Sequence, residues 1–101
     1  MTQPSLGILA QLEAKPDKVE EVRALLTSAL PLAIEEAGTS TWFAVQVGAT
    51  TFAIFDTFND ENGRQAHLNG EIASALMANS ERLLASPPNI EKVDVLAAKL
   101  A

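Results

Sequence analysis

His67 is the only histidine in a chain of 101 residues, and it is the one side chain here whose unperturbed pKa, about 6.5, lies close to neutrality. It falls in the stretch from Phe52 to Met77, FAIFDTFNDENGRQAHLNGEIASALM. A general base in that position would take a proton from a bound molecule and would need a donor for the oxyanion left behind. Asn69 and Asn62 are amide donors close in sequence, and Asp56 can orient the imidazole. The plainer reading is that His67 caps or hydrogen-bonds a helix end, because a lone histidine with no partner visible in the sequence is a weak site signal.

Other chemistries lack their residues. There is no cysteine, so thiolate nucleophiles, disulfides and thiolate-bound metals are excluded. One histidine without carboxylates at ligand spacing gives no metal motif, and Asn-Glu-Asn-Gly lacks the alternating ligands of a calcium loop. No glycine-rich phosphate loop supports a nucleotide or flavin, and no nucleophile stands beside a base as a hydrolase requires. No cofactor is expected. Arg64 and Asp60 have the spacing of a helix-surface pair, and Glu35-Glu36 reads as a solvated helix end, awkwardly placed against the helix dipole.

The formal charge of −6 comes from thirteen acids against seven bases, scattered from Lys15 to Lys99. Without a basic cluster, neither nucleic acid nor an anionic membrane surface is an expected partner. The N-terminal MTQPSLGILAQLEAK has no basic region ahead of its short apolar run, so neither a signal peptide nor a membrane span is expected, and the cytoplasm is the default location.

The elements that position these residues follow from periodicity. Leu6 to Ala14 alternates with period two and reads as a strand. Lys15-Pro16-Asp17 opens a helix whose apolar residues, from Val19 to Ile34, recur at three and four; Pro31 should kink or split it, and Gly38 should end the segment. Thr39–Val47 and Thr51–Phe58 read as a hairpin. Residues 59–69 read as an acidic turn and short helix with Asp60 as N-cap, weakened locally by Gly63. Glu71–Ala85 is a second helix, Ser86-Pro87-Pro88-Asn89 a linker, and Ile90–Ala97 a last strand. The order β-α-β-β-α-β predicts a single α+β domain over 1–101 with a ferredoxin-like, four-stranded antiparallel sheet and its helices on one face. Apolar residues occupy both parities of the hairpin: Phe52, Ile54 and Phe58 against Ala53 and Phe55, and Trp42 and Ala44 against Phe43 and Val45. A second apolar sheet face needs cover, from a second copy of the chain or from a ligand.

Three stretches, LEAKPDKVEEVRALL, EEAGTSTWFAV and FDTFNDENGRQAHLNGEIASAL, resemble the antibiotic biosynthesis monooxygenase (ABM) family of the dimeric α+β barrel superfamily, over about residues 6–97. The resemblance implies a homodimer of two ferredoxin-like sheets, each with a cavity between sheet and helices. It also implies cofactor-independent oxygenation of an aromatic quinol or anthrone-like compound by dioxygen. It carries His67 over as the catalytic residue, from an Ala-His-Leu motif, and Trp42, Phe52 and Phe55 as residues that line or back the cavity; Asn69 joins them as a substrate contact from its position. Haem degradation, which some relatives perform, is disfavoured. The first strand has Ile8-Leu9-Ala10-Gln11 where that branch needs an asparagine, His67 falls near where it places a tryptophan, and no second histidine follows. The chain also has no tyrosine. Two alternatives stand beside the enzyme: a non-enzymatic dimer that binds a hydrophobic small molecule, and a dimer with a purely structural role.

Overall fold

The computed structural model describes residues 4–101; the first three residues of the N-terminal stretch lie outside them. The elements run β1 (Leu6–Glu13), α1 (Val19–Ser28), α2 (Leu30–Glu35), β2 (Thr39–Gln46), β3 (Thr51–Phe58), α3 (Glu61–Leu68), α4 (Glu71–Leu83) and β4 (Asn89–Asp94). The strands form one antiparallel sheet in the order β2-β3-β1-β4. This is the ferredoxin-like α+β arrangement that the alternation predicts.

Each helical segment of the pattern is broken in two. The first divides at Ala29, two residues ahead of Pro31, which sits in the first turn of α2 where a missing N–H costs nothing. Thr27 Oγ1 and Ser28 Oγ also bond back to the carbonyls of Arg23 and Leu25, at 2.6 and 2.8 Å, which loosens the last turn of α1. The second divides at Asn69-Gly70. Asp60 does cap α3, accepting from the Gly63 amide at 2.8 Å. The last helix and strand end earlier than their patterns do. Leu84 turns extended to bridge Ala14, and β4 stops at Asp94, with only the Val95 amide still bonded, to Ser5.

Strand register assigns the two faces. Ile8, Ala10 and Leu12 of β1 lie opposite Asp56, Ile54 and Phe52 of β3. These residues face the helices, where Val22 and Leu26 of α1 and Leu76 and Leu83 of α4 complete the core. Fully burying a side chain such as Leu12, Val22 or Phe58 contributes about 1.5–3 kcal/mol each. The opposite face carries Leu9, Phe55 and Phe43 in one row across three strands, flanked by Ala53 and Val45. Phe43 and Val45 are about half exposed. A Cβ on Gly7 would lie 2.9 Å from the Asp56 carbonyl oxygen and 3.2 Å from a Val93 methyl, so the sheet is too close there for a side chain.

Candidate functional site

Three elements meet at the end of the sheet where β2 begins. Gly38, before β2, and Gly63, in α3, touch backbone to backbone: a Cβ on Gly38 would fall 2.7 Å from the Gly63 Cα. This approach brings Glu36, at the end of α2, against His67 on α3. The imidazole is buried between two carboxylates. Its Nδ1 lies 2.7 Å from Glu36 Oε1 and its Nε2 lies 2.9 Å from Asp56 Oδ2 on β3. Phe58 covers the ring, with centroids 5.2 Å apart. Glu36 is held in turn by Thr39 Oγ1, which donates to Oε1 at 2.7 Å. The helix-end carboxylate that reads as solvated is therefore a half-buried partner of His67, and the imidazole opposite offsets its position against the helix dipole.

Burial is the largest single influence on His67 and pulls its pKa down. The contacts and charges of Asp56 and Glu36 together outweigh it, so the imidazole is held above the ordinary histidine value. Both ring nitrogens are engaged. The two carboxylates stand at opposite nitrogens of the ring rather than around a common point, and among the described residues no group of three such side chains is placed to hold a metal ion.

Asp56 is 1% exposed, and neither of its oxygens receives a well-aligned hydrogen bond among the described residues. The 2.9 Å approach of His67 is an ion contact whose direction lies off that of a good hydrogen bond. Directly opposite Asp56 in the β2–β3 register is Trp42, on the same helix-facing side. Its indole Nε1 is also buried without an acceptor. A bulge at Ser40 sets this pairing: the register shifts between Thr39 and Thr41, and the hydroxyls of Ser40 and Thr41 both meet Thr57 Oγ1, at 2.9 and 2.6 Å. Each unsatisfied buried group costs about 1–3 kcal/mol, so Trp42 Nε1 and Asp56 Oδ1, carried by cross-strand neighbours, call for partners.

The sequence-derived residues divide. His67, Trp42 and Phe52 share the helix-facing side of the sheet. Phe55 points to the other face, and Asn69 is exposed at the C-cap of α3, with its backbone amide on the Gln65 carbonyl. Arg64 is buried and does not pair with Asp60. It donates to Glu61 Oε2 at 2.5 Å and to the Gly7 carbonyl at 3.3 Å, and this contact holds the Glu61 carboxyl below the usual range. Glu36 escapes sequence reasoning because 31 residues separate it from His67. The paired glycines are the only local trace of their meeting.

Three depressions open near these residues. One of about 190 Å3 is lined by Phe52 and by residues of α1 and β2, two of which, Arg23 and Gln46, are joined by a hydrogen bond of 2.8 Å. A more enclosed one of about 40 Å3 lies between α1, α2 and α4, with Leu26, Leu32, Ile54, Ile72 and Leu76 in its walls. The third, about 310 Å3, runs between α2 and β2 and ends on Trp42, with Leu30, Ala33 and Thr41 around it. His67 lines none of them.

No family model matches the sequence, and no curated protein matches it. Solved structures do. A protein of unknown function from Nitrosomonas europaea is 58% identical, over 97% of this chain and 95% of that one, with a TM-score of 0.94. The two chains belong to one family. A second Nitrosomonas europaea protein, provisionally named an antibiotic biosynthesis monooxygenase, superimposes at a TM-score of 0.81 with 16% identity, over 91% of this chain and 99% of its own. A Caulobacter crescentus protein, provisionally given the same name, superimposes at 0.78 with 18% identity, over 94% and 92%. The fold is that of the antibiotic biosynthesis monooxygenases. Within this ABM-like fold family, the relatives at such low identity speak for architecture; the chemistry has to be argued from the site.

Proposed function

We propose that this chain is an ABM-type monooxygenase that oxidises an aromatic quinol or anthrone-like small molecule with dioxygen, without metal or flavin. The observation that carries the reading is the buried Asp56–His67–Glu36 array beside an apolar sheet-and-helix layer. Such substrates react with dioxygen once deprotonated, so the protein has to take a proton, stabilise an oxyanion and exclude water. In an anthrone-like substrate the reacting CH2 loses two hydrogens and gains one oxygen atom, and the second oxygen leaves with those hydrogens as water. In this reading Asp56 takes the proton, and His67, its pKa raised against burial by the two carboxylates that engage its ring nitrogens, acts on the substrate through Asp56 rather than by direct contact. Trp42 and Phe52 contribute apolar surface from the same side of the sheet. The open face, with Leu9, Phe43, Val45 and Phe55, is the surface on which a second copy docks, giving a homodimer. Among the described residues no helix is long and apolar enough to cross a membrane, and a cytoplasmic location goes with this reading.

A second reading, a non-enzymatic dimer that binds a hydrophobic small molecule, is favoured by one observation: the small depression between α1, α2 and α4 is walled mainly by Leu, Ile and Ala, and His67 does not line it. Dioxygen consumption against a panel of anthrones and dihydroquinones separates the two. The enzyme reading expects turnover that falls by about 10²-fold or more in His67→Ala, within the range of a lost acid–base group. Absence of turnover with every compound, alongside saturable binding, would leave the binding protein.

A further inference from the structure

We propose that Asp56 and Trp42 together form a subsite for one aromatic hydroxyl group. The inference rests on the reading of this chain as a protein that takes up an aromatic hydroxyl compound, and it assigns the atoms that recognise it. The two residues are cross-strand neighbours on the helix-facing side of the sheet. One presents a carboxylate oxygen, Asp56 Oδ1, with no donor, its Oδ2 lying 2.9 Å from His67 Nε2, and the other an N–H with no acceptor, and both are buried. A hydroxyl is the smallest group that satisfies both at once: its O–H donates to Asp56, and a lone pair accepts from Trp42 Nε1. An ether or carbonyl would leave Asp56 unmet, and a cation would leave Trp42 unmet.

The surroundings select an aromatic body for that hydroxyl. Trp42 packs against the cluster of Ala29, Ala33 and Ile72, and the depression it lines has about 310 Å3, at the small end of the range of small-molecule sites. The depression is bordered by α2, a helix of only six residues set off from α1 by the break at Ala29. His67 does not touch the hydroxyl in this arrangement. It is a positioning residue that fixes the Asp56 carboxylate from Nε2 while Glu36 fixes the imidazole from Nδ1.

Trp42 is the only tryptophan, so its indole N–H gives a single cross-peak in a 1H–15N correlation spectrum. Under argon, the full chain is titrated with 2-naphthol and with naphthalene. We expect the indole peak to move downfield with 2-naphthol alone, and 2-naphthol to bind about tenfold tighter than naphthalene, as a hydrogen bond to a charged group allows. Asp56→Asn and Trp42→Phe should each bring the two affinities to within about threefold, with naphthalene binding retained. An equal affinity for both compounds in the wild-type protein overturns the subsite whatever the variants do. So does an indole peak that stays still while other amides move, or a preference unchanged in folded Asp56→Asn. Binding is read without turnover, so the two ideas fail separately. A hydroxyl preference with no dioxygen consumption ends the oxygenase reading and leaves the subsite, whereas turnover undiminished in Asp56→Asn does the reverse.

Discussion

Gly38 and Gly63 meet backbone to backbone, so closely that a methyl on Gly63 would lie 2.8 Å from the Gly38 carbonyl oxygen and 3.1 Å from its Cα. The obstacle is main chain on both sides, and no side chain can rotate away. Gly63→Ala should therefore cost about 1–3 kcal/mol through overpacking, although alanine is the better helix former. An urea midpoint equal to or above that of the wild type would disprove the close approach. The same substitution pushes α3 away from the start of β2, so Glu36 should lose its hold on His67. The imidazole pKa, followed by NMR, should fall in the variant.

The His67 array makes stability depend on pH in a direction its geometry fixes. The imidazole is held above the ordinary histidine value by Asp56 and Glu36 against the opposing effect of burial. The folded state therefore binds the proton more tightly than the unfolded chain. Its contribution is fully present below the unfolded pKa, about 6.5, and is lost as pH rises through the folded value. The urea midpoint should decline from about pH 6.5 upward, and His67→Gln should flatten that decline. A wild-type midpoint that rises over this interval would show that the carboxylates do not dominate.

Much of the fold is legible because its signals are local. Thr51–Phe58 is the strand that its hairpin position and its aromatic and β-branched residues predict, and Pro31 divides the first helical pattern for the steric reason that proline always does. Asp60 caps α3 as its residue type suggests. The site is less legible because it is made by contacts between distant residues. Asp56 is readable as a partner of His67, being on the adjoining strand. Glu36 is not, because its neighbourhood to His67 depends on two glycines that each look like ordinary helix breakers. Asn69, close to His67 in sequence, ends up exposed because α3 terminates there and turns its side chain away from the array. The pairing of Trp42 with Asp56 depends on the bulge at Ser40, and an inserted residue shifts every later side chain of β2 by one place.

The open sheet face carries the remaining prediction. Leu9, Phe55 and Phe43 lie in one cross-strand row, and Phe43 is 54% exposed. A contiguous apolar face of this kind is rarely left in water. If a second copy covers it, light scattering at micromolar protein should give the mass of two chains. Phe43→Glu should give the mass of one, because a carboxylate there would be buried unpaired on both sides of the interface. The variant should also expose Phe55 and Leu9, read as increased binding of an apolar dye. A wild-type mass of one chain, with the protein folded by circular dichroism, would leave the face to a ligand instead. A dimer that persists in Phe43→Glu would place the contact elsewhere on the molecule. The site lies on the opposite side of the sheet, so a monomeric variant that keeps the His67 pKa of the wild type would show that the array is complete within one chain.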